Sequence, residues 1–301
     1  MIPLAFDWTQ LAQQTVIGLS SGGTWALLAL ALVLIYRSTG VVNFAQGEMA
    51  MFSTFIAWAL VNHGLSYWSA FALTIAISFG GGVAVERVVI RPVERAPVLT
   101  VVIVTIGLFF VFNGAARWHW STETRSLPNA FSTRPIHVAG VAFSIQDLGN
   151  IAVSLGMVGL FWLLFRFTKL GLALRAAAVN PDESRLVGVR VSWMLAIGWG
   201  LAAAMGAVAG MLAAPALASF DQTFMQPVLL YAFAGAVLGG LDSPLGAVVG
   251  SLLLGVFINL IGNYVNWIGN ALQLPVALAV ILGVLLVRPE GLFGRPRMRK
   301  V

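Results

Sequence analysis

The sequence predicts an all-α fold, a polytopic membrane helix bundle of about nine spans, with a range of eight to ten. Charged residues make up only 9% of the 301 positions and apolar residues make up 59%. A soluble domain of this size carries roughly a quarter charged residues. Several stretches longer than the roughly 20 residues that cross a bilayer contain no charge. We therefore expect residues 1–301 to form a single transmembrane domain.

Seven uncharged runs define the predicted spans. They cover residues 8–36, 49–85, 96–116, 148–165, 191–220, 222–241 and 243–287. The second and the last runs are too long for one helix. Asn62-His63-Gly64 predicts a turn in the second run, and the polar stretch 263–270 divides the last. Nine spans result, although the short, glycine-rich run 222–241 is also compatible with a re-entrant half-span.

The basic residues predict the orientation, because cytoplasmic loops hold most Lys and Arg. With the N-terminus outside, 14 of the 17 basic residues face the cytoplasm. The fourteen are Arg37, Arg87, Arg91, Arg95, Arg166, Lys169, Arg175, Arg185, Arg190, Arg288, Arg295, Arg297, Arg299 and Lys300. The other three lie in one extracytoplasmic loop, 117–147, and residues 288–301 form a cytoplasmic basic tail. The net charge of +6 thus indicates orientation and not nucleic-acid binding.

Several kinds of site have no support in the sequence. There is no cysteine, and His63, His119 and His137 lie far apart, so neither a disulfide nor a metal site is expected. Asp7 and the lack of a basic N-terminal region argue against a cleaved signal peptide. The glycine cluster at 18–24 lacks the lysine of a nucleotide-binding P-loop, and no catalytic motif of a hydrolase or metalloprotease appears.

Pairs of glycines four residues apart recur inside the spans. They are Gly18 and Gly22, Gly206 and Gly210, Gly235 and Gly239, and Gly246 and Gly250. Small residues at this spacing let membrane helices approach closely. We predict tight helix packing at these positions, although membrane helices are also rich in glycine for other reasons.

A polar, glycine-punctuated segment opens the second predicted span at residues 36–49. Polar side chains are costly in a membrane and usually face a cavity or a partner. Asn43, Gln46 and Glu48 are therefore candidates to line a route through the bundle. Glu48 either lines this route, braces a broken helix, or lies at the headgroup level as an interfacial residue.

The segment at 166–190 is predicted to be a cytoplasmic loop of two short helices. Asn180 is a natural N-cap, Pro181 suits the first helical position, and Gly188 is a plausible stop. A structured loop of this kind resembles a docking surface for another protein. The alternative is a simple positive-inside connector.

A glycine-rich hairpin at 232–250 surrounds one acidic residue, Asp242. Asp242 either caps the following helix or faces the pathway, and capping is the favoured interpretation.

Four segments together resemble the permease family of bacterial branched-chain amino acid ABC importers. The first is GVVNFAQGE at 40–48, where the family more often has His at the position of Gln46. The second is GLALRA at 171–176 with Asn180 and Gly188, which resembles the family's cytoplasmic coupling loop. The third runs from 238 to 250, and the fourth is RPEGLFG at 288–294. The resemblance covers nearly the whole chain.

The resemblance implies a permease subunit of the bacterial plasma (inner) membrane that binds no cofactor. Two cytoplasmic ATPase subunits would hydrolyse ATP, a second and homologous permease would complete the pathway, and an extracytoplasmic solute-binding protein would deliver the solute. The resemblance implies coupling to the ATPase through six residues of the cytoplasmic loop. These are Gly171, Ala173, Arg175, Ala176, Asn180 and Gly188.

Branched-chain or related amino acids are the expected solutes. Relatives of this architecture also carry urea or short amides, and others carry sugars, and Gln46 departs from the family pattern. A self-contained channel or ion-coupled carrier is the rival class, but it needs ionisable residues in the bundle, where Glu48 is nearly alone. A membrane-embedded enzyme lacks any catalytic constellation.

Overall fold

A computed structural model describes residues 8–94, 96–138, 140–265, 269 and 272–294. Of the described residues, 77% are helical. The eleven α-helices in the described residues are α1 (Trp8–Thr39), α2 (Gln46–Asn62), α3 (Tyr67–Val85), α4 (Val98–Trp120), α5 (Ile145–Phe167), α6 (Lys169–Val179), α7 (Pro181–Leu186), α8 (Val191–Ala213), α9 (Met225–Gly239), α10 (Pro244–Tyr264) and α11 (Gln273–Val287).

The predicted all-α class needs one correction. The strands β1 (Pro135–Val138) and β2 (Val141–Ser144) form an antiparallel hairpin inside the loop predicted at 117–147. The pairing satisfies backbone groups within a segment that has no helix of its own. Ser144 then caps α5, because its hydroxyl accepts a hydrogen bond from the Asp147 amide at 3.0 Å. The fold is therefore nearly all-α.

In the part of the chain that the structure describes, six helices are long and apolar enough to cross a membrane. They are α1, α3 with its extension to Val93, α4, α5, α8 with its extension to Ala216, and α10. The extension of α3 consists of a π-helical turn (Glu86–Ile90) and a 3₁₀ turn (Arg91–Val93). The other apolar helices, α2 with 17 residues and α9 and α11 with 15 each, are shorter. Fifteen residues reach only about 22 Å, less than the roughly 30 Å of hydrocarbon.

The two helix breaks predicted from polar turns are confirmed. The helix α2 ends at Asn62 and α3 begins at Tyr67, with Gly64 between them at a φ of +94°. Only glycine adopts this left-handed conformation at little cost. The helix α10 ends at Tyr264 and α11 begins at Gln273. Most of the stretch between these two helices lies outside the described residues.

Two helices form the centre of the bundle and two form its edge. In the most apolar window of α1, 78% of the residues are buried, and in that of α8 the share is 89%. The corresponding share is only 17% in α4 and in α5. Most of the side chains that these edge helices expose are apolar, as Phe110 and Leu160 illustrate. An apolar surface around a packed centre is the arrangement expected when lipid surrounds the protein.

The predicted glycine pairs lie where helices touch, which confirms the packing prediction. Gly18 and Gly22 of α1 face the backbone of α10, and Gly255 of α10 faces α1 in return. Gly235 and Gly239 of α9 face α10 in the same way. Gly206 and Gly210 of α8 face α2. A bundle without a hydrophobic driving force between its helices gains its stability from such close van der Waals contact.

We expect Gly255→Leu to destabilise the bundle, because a Cβ atom at Gly255 would collide with the Gly18 carbonyl oxygen and Gly22 Cα. Overpacking of this kind costs about 1–3 kcal/mol or more, since neither backbone can move alone. The measurement is thermal unfolding of the detergent-purified chain. Gly107→Leu is the matched control, because a Cβ atom at Gly107 meets nothing within 4 Å. Equal unfolding temperatures for the two variants would contradict the packing account.

Candidate functional site

The helix α2 begins in the middle of the bundle and not at its edge. Its first residue, Gln46, donates a hydrogen bond through Nε2 to the carbonyl oxygen of Ala202 at 2.9 Å. Ala202 lies near the midpoint of α8. Further along α2, Thr54 lies against Gly210 of α8, so the two helices run side by side in the same direction. The chain therefore leaves α1 at Thr39 and folds back to mid-depth before α2 starts.

Two of the predicted pathway residues shape this re-entrant turn. Asn43 and Gln46 are almost completely buried. The Asn43 side-chain oxygen accepts a hydrogen bond from the Ala45 amide at 3.0 Å, and its Nδ2 donates to Gln46 Oε1 at 3.2 Å. These contacts satisfy polar groups of a non-helical backbone where water is scarce. A direct role in the passage of solute stays a prediction for both residues.

Glu48 joins three helices inside the bundle. Its side chain is 1% exposed, so it lies inside the bundle and not on its surface. Asn113 of α4 donates to Glu48 Oε2 at 3.1 Å, and Gln226 of α9 donates to Oε1 at 3.1 Å. Each carboxylate oxygen thus has a partner on a different helix. The geometry fits the predicted bracing role, and a role in the pathway stays a prediction.

A chain of hydrogen bonds continues from Glu48 toward a cation. Asn113 also donates to the carbonyl oxygen of Gln222 at 3.0 Å. Its Oδ1 atom accepts a hydrogen bond from Arg117 Nε at 2.7 Å. The carboxylate and the guanidinium are therefore linked through one amide side chain. Hydrogen bonds that involve charged groups are the stronger kind in a poorly hydrated interior.

The N-terminal ends of α2 and α9 meet at this carboxylate. Glu48 lies in the first turn of α2, and Gln226 lies in the first turn of α9. Asp242 follows the C-terminal end of α9 and lines a cleft together with Val179 of α6. The helix α9 therefore runs toward the end of the bundle that carries α6. The helix α2 runs away from that end, because α8, which it accompanies, begins just after α7. Both helix dipoles place their positive ends beside the carboxylate, where they stabilise its charge.

The loop between α8 and α9 also folds back to this depth. Its Phe220 pairs with Arg125 of the 117–147 loop through two backbone hydrogen bonds of 2.7 and 2.9 Å. The Gln222 side chain donates to the carbonyl oxygen of Ser121. The Arg125 guanidinium stacks over the Trp58 ring at 4.7 Å. The loop at 117–147 therefore holds the start of α9 in place.

Sequence reasoning missed Asn113 and Gln226, the direct partners of Glu48, and also Arg117 and Gln222, which bond to Asn113. Asn113 and Gln226 are polar residues inside otherwise apolar runs, and this was the one available signal. Their convergence on one carboxylate depends on how distant segments pack, which spacing along the chain does not reveal.

Asp242 lies apart from Asn43, Gln46 and Glu48, and the predicted capping role is wrong. The N-cap of α10 is Ser243, whose hydroxyl accepts a hydrogen bond from the Gly246 amide at 3.0 Å. Asp242 stands one residue too early for this geometry. It is exposed and lines a cleft of about 820 Å³ together with Tyr36 and Arg37.

The segment at 166–190 forms the two predicted short helices, α6 and α7. Asn180 caps α7 as expected, with its side-chain oxygen accepting from the Glu183 amide at 3.2 Å. Gly188 has a φ of +86° just beyond α7, which explains a glycine there. The cap of α6 was missed: the Thr168 hydroxyl accepts from the Gly171 amide at 2.9 Å.

The coupling candidates of this segment differ in what they contact. Gly171 is buried against the backbone of α5 at Leu164 and Phe165, so it sets how closely α6 can approach α5. Arg175 is exposed, whereas Ala173 and Ala176 are half-buried. Apolar side chains that contact little of the bundle lie on the same two helices and the turn after them. They are Leu172, Val179, Leu186 and Val187.

The RPEGLFG ending packs on the end of α9. The amides of Leu292 and Phe293 donate to the carbonyl oxygens of Leu238 and Gly239 at 2.8 and 3.1 Å. These carbonyls belong to the last turn of α9, where the helix has no further N–H group that could donate to them. The remainder of the predicted basic tail, 295–301, lies outside the described residues.

The six long apolar helices among the described residues, which surround a buried polar junction and carry an exposed helical loop, indicate a multi-pass membrane protein. Residues 14–287 match the family described as "Branched-chain amino acid transport system / permease component". The chain belongs to this family, which confirms the resemblance and the membrane localisation predicted from the sequence. Members of this family are permease subunits and are not themselves ATPases.

Individual relatives support the same assignment over nearly the full length. The chain is 32% identical to the high-affinity branched-chain amino acid transport system permease protein BraD of Pseudomonas aeruginosa, and the match covers 96% of this chain and 97% of that protein. It is 30% identical to LivH of Escherichia coli, with the same coverage. The fructose import permease protein FruF of Bifidobacterium longum is 22% identical over 94% of this chain and 80% of its own.

We expect Glu48→Gln to lower stability, because Asn113 and Gln226 donate to different oxygens of the carboxylate and a Gln side chain keeps only one of these oxygens. One donor then faces an NH₂ group, and a buried unsatisfied donor costs about 1–3 kcal/mol. Thermal unfolding in detergent measures the loss. Glu123→Gln is the control, because Glu123 is exposed and pairs only with Arg125 at the surface. Unchanged stability of Glu48→Gln would contradict the bracing role.

Proposed function

We propose that this chain is the membrane-spanning permease subunit of an ATP-driven ABC importer for branched-chain or related amino acids. An extracytoplasmic binding protein would deliver the solute, and two cytoplasmic ATPase subunits would drive the cycle. The observation that carries the proposal is the capped helix pair α6–α7, with exposed apolar side chains, on a chain of this permease family. Exposed apolar groups on a structured loop are typical of an interaction surface.

The proposed topology has nine spans, an outside N-terminus and a cytoplasmic C-terminus. In this topology α2 and α9 each cross together with the re-entrant segment that precedes them, and α11 is the last span. Residues 166–190 form the cytoplasmic coupling loop, 117–147 the extracytoplasmic loop and 288–301 the cytoplasmic tail. The distribution of basic residues supports this orientation.

In the proposed coupling mechanism, α6 and α7 insert into a groove on the ATPase. Leu186 and Val187 lie at the tip of the pair, 87% and 79% exposed, and provide the apolar contact. Arg175 provides a charged contact, and Gly171 transmits motion of α6 to α5 through backbone packing. Closure of the ATPase dimer would then move α5 and α8, the two spans that the loop joins. The chain itself would bind no cofactor.

Branched-chain amino acids are the proposed solutes because BraD and LivH are named for them. The fructose permease is a more distant relative, so a sugar is the second candidate. Among the described residues, the buried charged side chains are Glu48 and Glu86. Two separated carboxylates do not form the ionisable relay that an ion-coupled carrier requires, which argues against that class.

A reconstituted importer tests the proposal. We expect ATP-dependent uptake of leucine, isoleucine or valine by proteoliposomes that contain this chain, its second permease and the ATPases, with the binding protein added outside. Glucose or fructose should not compete. Uptake that needs no ATPase, or that selects a sugar, would contradict the proposed function.

In the same system, Arg175→Ala and Gly188→Val should uncouple ATP hydrolysis from uptake. The first variant removes a charged contact, and the second places a β-branched residue at a φ of +86° and distorts the end of α7. We expect the amount of solute moved per ATP hydrolysed to fall at least about tenfold. This change corresponds to the loss of an interaction of roughly 1.4 kcal/mol. Arg134→Ala, on the opposite proposed side, is the control. Full coupling in both loop variants would rule out the coupling role.

A further inference from the structure

A cavity of about 420 Å³ lies at the end of the bundle that carries α6. Its walls come from α1, α5, α6, α8 and α10, and most of the side chains that line it are apolar. Examples are Leu34, Phe161, Trp162, Phe165, Leu174 and Leu195. The volume falls in the range of about 300–1,000 Å³ that ligand pockets occupy.

A buried glycine indicates that the cavity is a real gap in the packing. Gly198 of α8 is buried and lines the cavity, yet a Cβ atom there would meet no heavy atom within 4 Å. Protein interiors are normally packed as densely as organic crystals. Empty space directly above a buried backbone therefore leaves room for an apolar occupant.

Three arginines from three different helices also line the cavity. Arg37 lies near the end of α1, Arg166 near the end of α5, and Arg175 on α6. Arg166 and Arg175 are exposed, and neither is in an ion pair with another described residue. The cavity thus combines apolar walls with three cationic side chains, two of which lie in the last turns of the membrane helices α1 and α5.

We propose that this cavity binds one anionic phospholipid, with an acyl chain against the apolar walls and the phosphate among Arg37, Arg166 and Arg175. A hydrophilic solute would lose its hydration against these walls without compensation. Basic pockets between membrane helices are the places where anionic head groups bind. Trp162 and Leu245, both exposed, line the cavity on α5 and α10, which face the surrounding lipid.

The bound lipid would contact the predicted coupling loop directly. Leu174 and Arg175 of α6 contribute an apolar and a charged contact to the same cavity. The lipid would therefore connect α6 to the terminal turns of α1 and α5. This inference depends on the membrane location of the chain and not on which solute it carries.

Native mass spectrometry of the full chain in detergent tests the charge requirement. Titration with phosphatidylglycerol should give a bound lipid, and phosphatidylcholine should bind much more weakly. Each basic residue near an anionic lipid contributes about a fivefold factor in affinity, so Arg166→Gln with Arg175→Gln should weaken phosphatidylglycerol binding about 30-fold. The matched control is Arg185→Gln with Arg190→Gln, which removes the same charge from residues outside the cavity.

Filling the cavity tests the apolar requirement independently. Gly198→Leu should abolish the bound phosphatidylglycerol, whereas Gly107→Leu, which adds the same side chain on the lipid-facing α4, should leave it unchanged. Unchanged binding to Gly198→Leu, or equal affinity for the two lipids, would overturn the proposal. A change of oligomeric state in Gly198→Leu would also overturn it, since the cavity would then be occupied by a second copy of the chain.

Discussion

The architecture depends on one buried carboxylate that joins two helices at the point where each begins. Glu48 accepts a hydrogen bond from Gln226 of α9 and another from Asn113 of α4. A helix that starts inside a membrane leaves backbone N–H groups without partners, in a region where water does not supply them. The charge of Glu48, beside the first turns of α2 and α9, compensates for both helix ends at once.

The remaining helices keep this junction in place. The helix α8 packs through glycines against α2, and α10 packs in the same way against α1 and α9, so neither broken helix can shift alone. The 117–147 loop fixes the start of α9 through Arg125 and Phe220, and the RPEGLFG segment covers its end. A bundle held by close backbone contact tends to move as rigid parts.

Local features of this chain were predictable from the sequence, and long-range ones were not. The helix breaks near Gly64 and after Tyr264 followed from polar turns, and the Asn180 cap followed from side-chain chemistry within three residues. The hydrogen-bond partners of Glu48 come from positions 113 and 226, and only packing brings them together. Asp242 illustrates the limit at short range, since Ser243 beside it has an equally suitable side chain and the better position.

A double-mutant cycle between Glu48 and Gln226 tests the junction most directly. The free energy of unfolding in detergent would be measured for the wild-type chain, for Glu48→Ala, for Gln226→Ala and for the double variant. Hydrogen bonds to charged groups contribute about 1.5–3 kcal/mol, and we expect a coupling energy of that order. Additivity within about 0.5 kcal/mol would mean that the two residues act independently, which would contradict a junction between the two broken helices.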